Sequence, residues 1–366
     1  MVELNKKIRR ILMKEIKIGL VGAGRIACNA HLPAYQKAIG ANVTAICDID
    51  IEKAKAAAEN FGIKNYYSSM TEMLKNEDLD AVDICVWNRE HVPLSLEAAK
   101  AGKHVICEKP AAMSVSELYE LKKTINEKGL TYLLAVPNRF KSETECLKEL
   151  VDNGKIGNIY YAKTSYLRRR GAPNGWFTDK SISGGGPLMD LAPHAIDGAW
   201  YIMGCPKPKR VSAMCHKSIG KYTEKGVEKY GAAPSPNGDG IYDCEDSVAG
   251  VIYFENGAQM FFDTSWALNA PDRRDVYVYG NLGGALLSPP TLYTDNSGYA
   301  TNEEIVITER KNAYLGEIQH FIDCIREGIT ETRFGIDEAI IMQTMLDAIS
   351  ESSEKGREVI IENIGV

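Results

Sequence analysis

No stretch of this 366-residue chain approaches the roughly 18 consecutive apolar residues that a membrane-spanning helix requires. The start of the chain also lacks the apolar core of a secretion signal. Both absences point to the cytoplasm. Positive charge is not in surplus either: 43 Lys and Arg stand against 49 Asp and Glu, for a formal net charge of -6. Nucleic acids and anionic membranes demand a basic face, so the expected partner is a small molecule. The nine cysteines are odd in number and include no C-x-x-C pair, which argues against a disulfide framework and fits reduced thiols in a reducing compartment. Histidine is scarce, and His31, His91, His104, His216 and His320 show no ligand spacing; no metal is expected. Internal repeats are lacking too.

The remaining composition, 45% hydrophobic and 25% charged, is that of an ordinary globular protein. At roughly 100 to 200 residues per domain, the length suggests two domains. From Ile16, short apolar runs alternate with helical stretches: Ile16 to Val21, Val43 to Cys47, Ala81 to Val86, Val105 to Cys107 and Leu130 to Val136. That rhythm predicts a parallel sheet with crossover helices. Ser69 with Glu72, Ser114 with Glu117 and Ser142 with Glu145 have the spacing of capping boxes, and Gly62, Gly102 and Gly129 supply helix stops. Beyond Pro137 the pattern changes to longer alternating strands, Ile159 to Leu167, Ser247 to Phe254, Gln259 to Trp266 and Asp275 to Tyr279. Asn256-Gly257 marks a hairpin. Two amphipathic helices, one with apolar positions from Leu315 to Ile325 and one from Ile341 to Ile349, are expected to cover a sheet face. Ser218 to Gly240 is rich in glycine and proline and reads as an insert: a substrate lid, a subunit contact or a solvent loop. Residues 1 to 12, with Lys6, Lys7, Arg9 and Arg10 among apolar residues, read as an extra amphipathic turn or two, with Met13 as an alternative start.

Two segments carry chemistry. Gly22-Ala23-Gly24-Arg25-Ile26-Ala27 follows the first apolar run directly, and Asp48 ends the second. Gly22 permits a tight turn, Gly24 lets backbone amides approach a pyrophosphate, and Ala27 still permits close helix packing. Asp48 is expected to grip the ribose hydroxyls. Its charge repels a 2′-phosphate and Ile49 offers no compensating cation, so NAD is predicted over NADP. Far downstream, Gly184-Gly185-Gly186-Pro187 opens a helical stretch in which Asp190 precedes His194 by four residues. On one helix, that spacing puts acid and imidazole on the same face, where the acid orients the base. A base beside a dinucleotide suggests an alcohol that loses its proton to the protein and its hydride to a nicotinamide.

These segments, together with Ala101-Gly102-Lys103-His104-Val105-Ile106-Cys107-Glu108-Lys109-Pro110, Asn138-Arg139-Phe140, Asp197, Glu245-Asp246-Ser247 and Ser265-Trp266, resemble the glucose-fructose oxidoreductase / inositol dehydrogenase / rhizopine catabolism (Gfo/Idh/MocA) oxidoreductase family from Lys17 onward. The resemblance implies an α/β fold: a Rossmann doubly wound parallel sheet over residues 14–137, preceded by an extension over 1–13. An α/β domain on a large open, mostly antiparallel sheet follows over 138–366, binding substrate and forming homo-oligomers. It implies Lys109, Asp190 and His194 as the catalytic trio. His194 would act as base, Lys109 would stabilise the developing alkoxide or share the proton relay, and Asp190 would hold the imidazole. Cofactor contacts are expected from Gly22, Gly24, Arg25, Ile26, Asp48, Trp87, Asn88, His91, Glu108 and Lys109. Trp87 stands where many relatives carry Thr-Pro, and stacks beside the nicotinamide or sugar or serves in packing. Sugar contacts are expected from Lys109, Asn138, Tyr166, Arg168, Trp176, Asp190 and His194. Strand alternation would send Arg168 and Arg170 to one face and Arg169 to the other.

The expected activity is NAD-dependent oxidation of a secondary ring hydroxyl of a sugar, glycoside or cyclitol, with C3 of a glucosyl group as the sharper reading. A redox-assisted glycosidase, an inositol dehydrogenase and a silent NAD-binding regulator are the competing readings.

Overall fold

The structure is a computed structural model of the chain and describes residues 15–220, 232–362 and 364–366. The expected N-terminal extension, and residues 221–231 of the insert, lie outside the described residues. Six strands, β1 (Ile16–Val21), β2 (Ala41–Cys47), β3 (Asn65–Tyr67), β4 (Ala81–Ile84), β5 (His104–Glu108) and β6 (Tyr132–Ala135), form a parallel sheet in the order β3-β2-β1-β4-β5-β6. Every position of β4 and β6 is buried, as expected for strands covered by helices on both faces. The order reverses between β1 and β4, and that switch point opens a crevice at the carboxyl ends of the strands.

The second sheet has nine strands: β7 (Ile159–Leu167), β8 (Pro208–His216), β9 (Ser247–Phe254), β10 (Gln259–Ser265), β11 (Arg273–Gly280), β12 (Gly283–Leu286), β13 (Thr291–Asn296), β14 (Tyr299–Glu304) and β15 (Val359–Ile360). Their order is β14-β13-β12-β11-β7-β10-β9-β8-β15. The central pair, β7 and β10, is parallel, while the other pairings are antiparallel. The expected Asn256-Gly257 hairpin joins β9 to β10, with Gly257 at φ +86. On one face, helix Ala192–Ile202 packs across β7, β10 and β11, anchored by fully buried Trp200. The opposite face carries an aromatic ladder: Tyr161 stacks on Tyr279 at 4.8 Å and meets Phe261 edge-on at 5.7 Å.

The two late helices tie the halves together. Ala313–Glu327 packs against β1, so a C-terminal element completes the shell of the first sheet. Ile336–Lys355 lies on β8 and also reaches β6. Arg139 pins this junction: 1% exposed, it donates to Asp197 at 2.6 Å and lies 4.0 Å from the centre of the Phe334 ring. Within Asn138-Arg139-Phe140, the arginine is therefore a buried structural cation, and a neighbour takes the outward position.

Candidate active site

The glycine-rich turn has the geometry that its residues dictate. Gly22 sits at φ +95, where a Cβ would lie 2.2 Å from the Cys85 carbonyl oxygen. Space beside Gly24 is open, with nothing within 4 Å of the position a Cβ would take. The turn leads into a π-helical stretch, Ala27–His31. Asp48 sits across from the loop and accepts the Ala23 N–H at 2.7 Å through Oδ2 and the Asp50 N–H at 2.9 Å through Oδ1. Ile49 is 79% exposed and brings no cation to that rim. Together these residues border a cavity of about 970 Å³ whose walls include Gly22, Gly24, Arg25, Ile26, Asp48 and Trp87. Arg168, Trp176 and Asp190 line the same cavity. An open backbone cradle and a carboxylate at the ribose position fit a dinucleotide without a 2′-phosphate.

Four expected cofactor contacts sit elsewhere: Lys109, whose Nζ goes to Asp190, and three residues behind it. Asn88 is buried and donates to the Ser183 carbonyl at 2.8 Å. Both ring nitrogens of buried His91 face backbone carbonyls, Pro110 at 2.6 Å and Val86 at 3.2 Å. Glu108, also buried, takes His31 Nε2 at 3.2 Å and the Lys109 N–H at 3.1 Å. None of the three lines the nucleotide cavity. His91 and Glu108 hold the turn around Lys109, and Asn88 ties its own loop to Ser183: buried polar backbone atoms must find partners.

Beneath that turn the fold assembles a group that sequence spacing does not reveal, since His31 comes from the Ala27–His31 stretch while Asp83 and Cys85 lie on and just after β4. His31, Asp83 and Cys85 place their donor atoms within 4.8 Å of one another. His31 Nδ1 meets Asp83 at 2.8 Å while Nε2 meets Glu108. Burial opposes charge on the ring, but Asp83 and Cys85 outweigh it and hold the imidazole well above its ordinary 6.5. The ring is an imidazolium bridging two carboxylates.

Lys109 comes from a stretch 81 residues before Asp190, and the partners of Lys109, Asp190 and His194 differ from the expected ones. The helix breaks at Leu191: Asp190 ends Pro187–Asp190, and His194 belongs to Ala192–Ile202. The four-residue spacing therefore does not lie on one continuous helix. Lys109 Nζ donates to Asp190 Oδ1 and to its backbone carbonyl, both at 3.0 Å. Trp266 Nε1 donates to Oδ2 at 2.9 Å, and Arg168 Nη1 lies 3.8 Å away. Burial would raise the Asp190 carboxyl, but Lys109, Arg168 and the Trp266 indole hold it at about 2. Asp190 thus fixes the lysine; no hydrogen bond joins it to the imidazole, which corrects the expected acid-to-base orientation.

His194 instead faces Asn138, whose Nδ2 lies 3.4 Å from Nδ1 while its Oδ1 accepts from Arg274 at 3.2 Å. With the amide oxygen occupied, its nitrogen is turned to the ring, which assigns the lone pair to Nδ1. Burial, then Lys109, Arg274 and Lys141, push the imidazole well below 6.5 against the opposing pull of Asp190. It is neutral at neutral pH.

The sugar-side expectations divide. Strand β7 ends at Leu167, so strand alternation does not govern Arg168 to Arg170. Arg168 donates to Tyr166 Oη at 3.3 Å and lines the nucleotide cavity, whereas Arg170 donates to Asn269 at 2.8 Å. Trp176 stacks on Phe177 at 3.9 Å and takes the Ala233 carbonyl through its backbone, so the described end of the insert borders the cavity. Glu245 and Trp266 had no role assigned from sequence. Half-buried Glu245 accepts the Gly186 and Leu188 amides at 2.7 and 3.0 Å, capping the helix that presents Asp190. A Cβ on Gly186 would lie 2.2 Å from the Glu245 carbonyl oxygen.

Residues 16–136 match the sequence profile of an oxidoreductase family with an NAD-binding Rossmann fold, and residues 144–286 match that of the GFO/IDH/MocA C-terminal domain. The chain is 33% identical to D-glucoside 3-dehydrogenase of Escherichia coli (strain K12), over 94% of this chain and 97% of that protein. The chain belongs to the GFO/IDH/MocA family of oxidoreductases. It is also 26% identical to myo-inositol 2-dehydrogenase of Thermotoga maritima, over 95% of this chain and 99% of that one. Among solved structures, levoglucosan dehydrogenase in complex with NADH and levoglucosan shares the fold at a TM-score of 0.83 and 24% identity, covering 95% of this chain and 100% of that one. Among the described residues, no helix is long and apolar enough to cross a membrane.

Proposed function

We propose that the protein is a cytoplasmic NAD-dependent dehydrogenase that oxidises a secondary ring hydroxyl of a glycoside, C3 of a glucosyl group, to the ketone. The observation that carries this reading is a lysine ammonium clamped by Asp190, which itself lines the cavity bordered by the glycine-rich turn, together with an imidazole that burial and the Lys109 charge keep neutral. The similarity to a D-glucoside 3-dehydrogenase supports the glucosyl substrate. NAD, when bound, supplies the hydride acceptor. The chain supplies the rest. Two of the three Lys109 donors are spent on Asp190, which leaves one for the substrate oxygen as its charge grows. His194 accepts the hydroxyl proton at Nδ1, where the long contact to Asn138 is readily replaced by a shorter one from the sugar. Trp176 offers an apolar face to the sugar ring, with Tyr166 and Arg168 at its edge.

In this reading, residues 14–137 form the nucleotide domain and 138–366 the substrate and oligomerisation domain. The open aromatic face around Tyr161 and Tyr279 would be the contact between copies. NADH formation followed at 340 nm across glucosides, free sugars and cyclitols tests the activity. Stoichiometric NADH with an intact glycosidic bond is expected. Aglycone release without net NADH would mean a redox-assisted glycosidase, and no reaction with any of them would remove the dehydrogenase reading.

A further inference from the structure

His194 does not line the nucleotide cavity. It opens onto a second one of about 500 Å³, bordered by Asn138, Lys141, Tyr201, Arg274, Arg310 and Lys311. The charges around this second space do not cancel. Each carboxylate on its wall has a cation of its own: Asp197 has Arg139 at 2.6 Å, Glu143 has Arg310 at 3.5 Å, and Asp275 has Arg273 at 2.5 Å. Lys311 is likewise committed, to Glu145 at 2.8 Å. Lys141 and Arg274 have no carboxylate within ion-pair distance among the described residues. The only polar partner of the Arg274 guanidinium there is the Asn138 amide oxygen, and its plane rests 4.6 Å from the centre of the Tyr166 ring.

The two cations are close enough to act on each other and on the imidazole. Burial, then Arg274, lowers the Lys141 ammonium, and both cations disfavour charge on His194. Holding two like charges beside a base costs free energy unless something of opposite sign shares the space. Arg274 lies exposed at the rim of this cavity and Lys141 is half-buried in its wall; a guanidinium fork beside an ammonium is how proteins recognise carboxylate and phosphate oxygens.

We propose that this second cavity is a subsite for an anionic group of the substrate, so that the enzyme acts on a glycoside carrying a carboxylate or phosphate. The inference rests on the dehydrogenase reading and names its substrate class. The reactive hydroxyl sits between Lys109 and His194, and the anion lies beyond His194 against Lys141 and Arg274.

The test compares kcat/KM of the full-length protein with saturating NAD for methyl α-D-glucoside, methyl α-D-glucuronide and α-D-glucose 1-phosphate. An anionic substrate should exceed the neutral one by about tenfold or more, and that ratio should fall about fivefold in Lys141→Gln and fall again in about 0.5 M NaCl, as screening removes the attraction. The two anions separate a C6 carboxylate from an anomeric phosphate. Equal or better use of the neutral glucoside overturns the anionic subsite and leaves the dehydrogenase intact. A ratio unchanged in Lys141→Gln likewise overturns it. Failure to oxidise any of the three overturns both readings.

Discussion

Replacing Asp190 by Asn keeps the side-chain volume and removes one charge from the clamp on Lys109. The carboxyl is shifted from an ordinary 3.8 to about 2. Each unit corresponds to about 1.4 kcal/mol, so the folded surroundings favour the ionised form by about 2.5 kcal/mol. Because the folded value lies below the unfolded one, this stabilisation is fully present above about pH 5 and lost as pH falls toward 2. At pH 3 the unfolded acid is mostly protonated while the folded one is still mostly ionised, so linkage leaves about half of it. Urea unfolding followed by tryptophan fluorescence should therefore show Asp190→Asn less stable by about 2 to 3 kcal/mol at pH 7 and by about half that at pH 3. An equal penalty at both pH values, or none at pH 7, would refute the charge clamp.

Other consequences follow from the same contacts. His194→Ala should lower kcat by about 10² to 10⁴ while the Kd for NAD, measured by fluorescence titration, stays within about twofold; near-normal turnover would remove His194 as base. In the wild type, kcat/KM should climb with pH through an inflection below 6.5, since cations and burial depress the imidazole. Arg274→Gln removes one of those cations, so the inflection should move up toward 6.5, and a downward move would contradict the assignment. If Asp48 grips the ribose hydroxyls, Asp48→Ala should raise the KM for NAD about tenfold or more and narrow its preference over NADP, by removing that grip and the repulsion of a 2′-phosphate. Glu245→Ala strips the caps from Gly186 and Leu188 and should cost about 2 kcal/mol in urea unfolding, with a loss of kcat as Asp190 loosens.

Much of the first sheet was legible because burial on both faces forces continuous apolar runs, and five of its six strands carry one. The exception, β3 at Asn65–Tyr67, is a short edge strand with no such run. In the second sheet, β8 and β12 to β15 were missed: β12 to β15 have only two to six residues each, too few to show a period, and β8, PKRVSAMCH, carries Lys209, Arg210 and Ser212 among its few apolar positions. Capping chemistry shows how tertiary contacts override local patterns. Ser69 does accept the Glu72 amide at 3.2 Å. At Val115, however, the amide goes to Asp347 at 2.8 Å, and Ser142 Oγ accepts from Lys311 at 2.9 Å. The proposed trio Lys109, Asp190 and His194 could be named from residue type and motif, but its wiring could not. Leu191 interrupts the helix, and the partners that matter, Trp266, Asn138 and Arg274, reach the site from other elements. His31 was invisible as a partner of Asp83 and Cys85 for the same reason, since only the packing of the Ala27–His31 stretch against the end of β4 brings it to them.

The central claim is that a ring carbon of the sugar gives its hydrogen to the bound nicotinamide as the Lys109 and His194 pair takes charge of the hydroxyl. Incubating the protein with NAD and methyl α-D-glucoside deuterated at C3, then weighing the reduced cofactor by mass spectrometry, tests that claim most directly. The account predicts NADH carrying one deuterium, formed in step with a 3-keto glucoside. Reduced cofactor without the label would contradict the C3 assignment, and no reduced cofactor from any ring-labelled glycoside would contradict the account.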